Sequence, residues 1–212
     1  MTTIRQPWGL SVFGSGSVRT EPQFACVKLE VDLLEQTPDR AFEKANKAVA
    51  EVRQTLRGHG IADGSVSGSR LRLHSAYDGY GVGRTFLGYR CQAAFTVETT
   101  ALNGLQQLIV DVVDAGANHV EDVVFDVHDK SALRDEARHR AVEAARRKAA
   151  VYAEATGVKL GPVVHVEDVD PESVSPYGRG HGGTAGGRGG ADLAPGMVEV
   201  AAGVHLGFAL TH

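Results

Sequence analysis

Cysteine is scarce in this sequence: Cys26 and Cys91 are the two thiols among 212 residues. Two cysteines make neither a disulfide framework nor a zinc site. The strand patterns below place Cys91 on an apolar face and Cys26 on the opposite one, so both are expected to be unbridged thiols. An excess of positive charge is missing too. The net charge is −4, which gives no general reason to expect DNA, RNA or an anionic membrane as partner. No apolar run is long enough to span a bilayer, so no membrane insertion is expected. The first residues, MTTIRQPWGLSVFGSG, lack the apolar stretch and small-residue cleavage site of a secretory signal, and a cytoplasmic chain is the expectation. Local catalytic signatures are also missing. There is no Gly-x-Ser-x-Gly elbow, no His-Glu-x-x-His and no cysteine in a catalytic motif.

What is present is architecture. Ser131 to Thr156 is a long run without Gly or Pro, rich in strong helix formers. On a helical wheel Leu133, Ala137, Ala141, Ala144, Val151 and Ala155 share one arc, and Asp135, Glu136, His139, Glu143, Arg146, Arg147 and Glu154 fill the other. An alanine-lined arc lets a helix lie close to a flat partner, most simply a β-sheet. Asp129 or Ser131 can cap its start and Gly157 can end it.

The chain before it alternates strands and helices. Trp8, Leu10, Val12 and Val18 mark a first strand loosened by Gly14 and Gly16. After Glu21-Pro22, the alternation of Ala25, Val27, Leu29, Val31 and Leu33 marks a second, and the short connection predicts an antiparallel hairpin between the two. Thr37-Pro38 starts a helix, with the Thr37 hydroxyl as cap, that runs to Gly58. Strands near Val66–Ser75 and Phe86–Glu98 read as another hairpin. A short helix around Leu102 to Val112 closes at Gly116, and Val123, Phe125 and Val127 form a fifth strand. Beyond the long helix come strands at Val158–Val169 and from Val198 onward, separated by a Gly-rich connection. The resulting order, ββαββαβαββ, predicts an α+β fold: an antiparallel sheet of hairpins, helices packed on one face, and one long helix in the C-terminal half. A single domain over 1–212 is expected, with a flexible loop at about 171–196.

Candidate sites are sparse. Gly14-Ser15-Gly16-Ser17 is not a phosphate-binding turn, because the chain continues as strand; a bulge is the expectation. Asp126 and His128 would share a face of one strand and are the best-placed pair of metal ligands, but no third and fourth ligand is spaced to join them. Asp129 suits a helix cap better, and His139 sits on a charged helix face. Neither metal, cofactor nor catalytic residue is assigned. Lys28, Glu30, Asp32, Arg90, Gln92 and Thr96 line one wet sheet face, which is either solvated or meets another subunit. The loop YGRGHGGTAGGRGG, with Arg179 and Arg188, carries too little charge to hold RNA and suits a flexible connection or a protein contact.

The succession of Val12-Phe13-Gly14-Ser15-Gly16, Glu21-Pro22, Gly88-Tyr89-Arg90, Asp114-Ala115-Gly116-Ala117-Asn118, Leu133-Arg134-Asp135-Glu136-Ala137, Lys148-Ala149 and the strand from Val198 resembles the SIMPL-domain family. This bacterial group includes periplasmic immunogenic and oxidative-stress-defence proteins. The resemblance spans nearly the whole chain and implies an α+β fold, homo-oligomers of ring-like or channel-like form, and no established catalytic residues. The first expectation is therefore a non-enzymatic, self-assembling protein tied to stress or envelope upkeep. Lys28, Glu30, Arg90, Gln92 and Arg134 are its candidate subunit contacts. The alternatives are a small-ligand or metal binder, or an enzyme, using Asp126 and His128, and an adaptor that binds a protein partner through the Gly-rich loop.

Overall fold

A computed structural model describes residues 9–79, 83–169 and 196–211, apart from the side chain of Ser69. The Gly-rich connection, with Arg179 and Arg188, lies outside the described residues, as does Trp8. The α+β class, the antiparallel pairing and the long C-terminal-half helix all hold. The strands do not form one sheet. They divide into a three-stranded and a four-stranded sheet, in two compact units.

One unit holds β2 (Phe24–Glu35), β3 (Val66–Asp78), β4 (Thr85–Thr99) and β5 (His119–Asp126), with α1 (Pro38–Gly58) and α2 (Leu105–Asp114). The sheet order is β3-β4-β2-β5, antiparallel at each joint. Period-two alternation sends Ala25, Val27, Leu29 and Val31 of β2 and Ala93, Phe95 and Val97 of β4 to one face. There they meet Val52 and Leu56 of α1 and Leu105, Leu108 and Val112 of α2. Pro38 opens α1 as expected, but the Thr37 hydroxyl makes no capping bond. The Thr37 carbonyl instead accepts from Ala41 N at 3.1 Å. Asn118 stands in for a missing strand residue. Its side chain accepts from Asp32 N and donates to Asp32 O, each at 2.7 Å, so β2 keeps its bonds beyond the end of β5.

The other unit holds β1 (Leu10–Thr20), α3 (Lys130–Thr156), β6 (Lys159–Val169) and β7 (Val198–Thr211), with sheet order β1-β7-β6. The expected β1–β2 hairpin does not form. β1 pairs along its whole length with β7, and β2 pairs with β4 and β5. A short connection permits a hairpin but does not choose the partner; burial of the apolar faces does. The Gly14 region is no bulge either, since β1 and β7 keep continuous register from Leu10 to Thr20. The glycines serve α3. A Cβ on Gly16 would lie 2.5 Å from the Ala137 carbonyl oxygen, and one on Gly14 would lie 2.7 Å from Ala145 N. The helix therefore rests directly on the β1 backbone.

That contact selects the face of α3. The buried residues are Ala137, Ala141, Ala145, Ala149 and Ala153, one stripe at intervals of four. The expected arc shares two of its six residues with this stripe. Ala137 and Ala141 belong to it, but Val151 and Ala155 are exposed and Leu133 and Ala144 only half-buried. Val12, Val204, Leu206 and Phe208 complete the core under the stripe. Lys148 Nζ donates to the Phe13 carbonyl at 2.8 Å, and Arg140 Nη1 to the Ser17 carbonyl at 2.7 Å, so cationic side chains pin the helix to the strand. Gly157, at φ 71°, ends α3 in the left-handed conformation.

Candidate functional site

The wet face of the four-stranded sheet carries most of the sequence-derived candidates. Pairing of β2 with β4 sets Asp32 opposite Gln92 and Lys28 opposite Thr96. Gln92 Nε2 then donates to Glu30 Oε1 at 2.8 Å and to Asp32 Oδ2 at 3.5 Å, and Arg90 Nε lies 3.2 Å from Asp32 Oδ1. Glu30, Arg90 and Gln92 thus form one network centred on Asp32, in which each charge meets an opposite charge or a donor. Lys28 is exposed on the same face, and Arg134 is exposed on α3 of the other unit.

β3 extends this face outward. Its register with β4 puts Arg72 opposite Gln92 and His74 opposite Arg90, while Leu71 and Leu73 fall on the helix side opposite Ala93 and Cys91. The helices do not reach that far, so both leucines remain exposed. Near the end of the hairpin, Tyr77, Phe86 and Tyr89 make edge-on aromatic contacts, with centroids 5.5 Å and 5.4 Å apart. Beside them Leu34, His74, Tyr77, Arg84, Leu87 and Arg90 line an open cleft of about 440 Å³. The alternation in Arg70-Leu71-Arg72-Leu73-His74 was legible. Its exposure was not, because a period-two pattern reads as a half-buried strand whether or not a helix covers the apolar side.

The thiols sit as the alternation implies. Both are free; Cys91 is buried and Cys26 is half-buried. Burial raises the pKa of each, most strongly among the causes, with Asp32 adding to the effect at Cys91 and Glu98 and Asp126 at Cys26.

The proposed ligand pair does not share a strand face. β5 stops at Asp126, so His128 lies past its end in the approach to α3. The chain must leave the strand there because Asp129 is committed as the helix cap. Its Oδ1 accepts from Ser131 Oγ at 2.7 Å, Ser131 N at 2.9 Å and Ala132 N at 3.4 Å. Among the described residues, no group of three or more His, Cys, Asp or Glu side chains is arranged to hold a metal ion. These bonds, the Ser131 hydroxyl foremost, lower the Asp129 pKa. A lowered folded-state pKa adds stability above the ordinary carboxylate pKa, and this is lost as pH falls through the folded value. Asp129→Ala should therefore lower the melting temperature at pH 7, and the gap from the parent should shrink in strong acid. Melting curves across that range test it; a gap independent of pH would refute the role.

These features define a class: an antiparallel α+β chain whose long helix lies on a glycine-bearing strand and whose hairpin sheet carries one polar face. The chain belongs to the SIMPL family, whose model, described as a protein of unknown function (DUF541), matches residues 10–208. Among similar proteins is the 26 kDa periplasmic immunogenic protein of Brucella melitensis. It is 30% identical over 186 residues, which cover 85% of this chain and 74% of that protein. The uncharacterized protein YggE of Escherichia coli K12 is 31% identical over 163 residues, covering 74% of this chain and 66% of its own length. YggE of Edwardsiella ictaluri is 28% identical over 164 residues, or 75% and 69% of the two chains. The expectation of a cytoplasmic protein is corrected by these matches, since the Brucella relatives are named as periplasmic. That expectation rested on the pattern of the first residues alone, which does not decide the compartment.

Proposed function

We propose that this SIMPL protein acts in the periplasm as a non-enzymatic assembly of identical copies, with a role at the cell envelope. The carrying observation is the set of large apolar side chains left in water on sheet edges, including Leu71, Leu73, Val164 and Val166. Such surface favours association because burial removes it from water. The compartment rests on the names of the Brucella relatives.

The titration pattern supports a structural reading. Among the described residues, the carboxylates held below their ordinary range each serve a local bond. Asp63 is bonded by Arg57, Asp111 by Gln107 and then His59, and Glu199 by Ser17 and then Arg19. Shifts at a catalytic centre converge on one site; these are scattered over separate ion pairs and caps. Light scattering after gel filtration should give a defined mass several-fold that of one chain at micromolar concentration, and osmotic-shock fractionation should release the protein with the periplasm. A single-chain mass would overturn the assembly, and retention with the cytosol would overturn the compartment.

A further inference from the structure

The cleft at the end of the β3–β4 hairpin is a consequence of strand register. Ala76 pairs with Gly88 and Tyr77 with Phe86, so Leu87 is an extra residue with no partner on β3. Such a bulge bends its strand and re-aims the side chains beside it. Gly88, at φ 142°, takes up the bend where β4 passes the Glu35 carbonyl. β2 stops at Glu35, and the chain turns off into α1 at Pro38. The sheet therefore loses an inner strand just where β4 bends, and the cleft of about 440 Å³ lies there.

Its lining is divided by chemistry. His74 stands opposite Arg90, and Arg90 opposite Leu34, so the three make one row across β3, β4 and β2 and share a face. Leu34 and Leu87 are large and apolar, yet 43% and 41% exposed. The charged and titrating groups beside them are His74, Arg84 and Arg90, and none of the residues that line the cleft is acidic. This runs against the net charge of −4 on the whole chain. Glu35 takes the opposite face from Leu34 and accepts from Lys44. Asp32 orients Arg90. Its Oδ1 lies 3.2 Å from Arg90 Nε, and its Oδ2 accepts from Gln92 at 3.5 Å. A guanidinium has five N–H donors in a fixed fork, and the contact with Asp32 is made at Nε.

We infer that this cleft binds a small organic monocarboxylate with an apolar body, of the medium-chain fatty acid type. The planar fork of Arg90 matches a carboxylate and makes charge-assisted bonds to it. The His74 ring, next in the row, supplies a further donor. Leu34 and Leu87 take the body of the ligand out of water. Neither half of the lining is matched by a simpler ligand. An inorganic anion would leave the leucines wet, and a plain hydrocarbon would strip water from the arginines without replacing its bonds. The volume is that of roughly fifteen waters at about 30 Å³ apiece, which is room enough for octanoate. All the lining residues belong to one unit of one chain, so the site needs no second copy.

Octanoate is the probe. Calorimetric titration of the full chain should show saturable binding of one molecule per chain. Acetate lacks the body and octanamide lacks the charge, so each should bind at least about tenfold more weakly. Arg90→Gln should weaken octanoate by about tenfold or more. Leu34→Ser should weaken it several-fold through lost apolar contact. Leu34 and Arg90 are both solvent-exposed enough that circular dichroism should show the parent fold. Leu73→Ser is the control. Leu73 is 41% exposed but lies on the helix side of the sheet, so its loss should leave binding unchanged. In amide spectra, octanoate should shift the signals of Leu34, His74, Leu87 and Arg90. Absence of saturable binding into the millimolar range would overturn the site. So would octanamide binding as tightly as octanoate, Arg90→Gln binding like the parent, or Leu73→Ser weakening octanoate as much as Leu34→Ser does.

Discussion

Gly14→Ala should cost about 3 kcal/mol or more of folding stability, which for a chain of this size is a fall of roughly 10 °C in melting temperature. The added methyl has nowhere to go. It would run into the Ala141 carbonyl oxygen and lie 2.7 Å from Ala145 N and 2.8 Å from Ala145 Cβ. Two of the three are backbone atoms of a helix and cannot swing aside as a flexible side chain would. α3 would have to lift from the strand, which opens a gap under the alanine stripe. It would also stretch the 2.8 Å bond from Lys148 to the Phe13 carbonyl and the 2.7 Å bond from Arg140 to the Ser17 carbonyl. Gly16→Ala meets the same obstacle at Ala137 and Ala141. Gly64→Ala is the control, because a Cβ there has nothing within 4 Å. Denaturant titration of the three variants reads the effect directly. A Gly14→Ala protein as stable as the Gly64→Ala protein would mean that the helix does not rest on β1.

The sequence made the helix legible and hid its orientation. Capping by Asp129, termination by Gly157 and a long run of helix formers fix where α3 begins and ends. Its buried face is another matter. Alanine is so weakly apolar that a stripe of five hardly biases a helical wheel, and the larger Val151 drew the expected arc toward itself. The glycines of β1 reverse that choice, because a backbone lying on a backbone admits only small side chains between. The two signals sit far apart in the chain and become one only in three dimensions. The wet face of β2 and β4 shows a similar split. Its membership was readable from alternation, whereas the closure of Glu30, Asp32, Arg90 and Gln92 into one network follows from strand register. Nor did alternation reveal that Leu71 and Leu73 lie beyond the reach of α1 and α2. Strand periodicity reports which side a residue takes, not whether that side is roofed.

The second large loss is expected at Gly88, where two separate penalties add. Its φ of 142° is one that side-chain-bearing residues rarely adopt, and imposing it on alanine costs on the order of 1–3 kcal/mol. A Cβ there would also stand 2.5 Å from the Glu35 carbonyl oxygen and 3.5 Å from Leu34 Cδ1. Gly88→Ala should then cost about 3 kcal/mol or more, and the damage should be local to the end of β4. At that end Tyr89 pairs with Glu35, and Gln36 Nε2 reaches the Leu87 carbonyl at 3.3 Å. Pushing β4 away from β2 there shifts Phe86 and Tyr89, whose rings touch, so near-ultraviolet circular dichroism should change along with the unfolding midpoint. Gly68→Ala separates the two penalties. Gly68 has a φ of 68° but nothing within 4 Å of a Cβ, so it retains only the conformational part. If Gly88→Ala cost no more than Gly68→Ala, the overlap with Glu35 would be relieved at no expense, and β2 and β4 would not be held as closely at that end as their register requires.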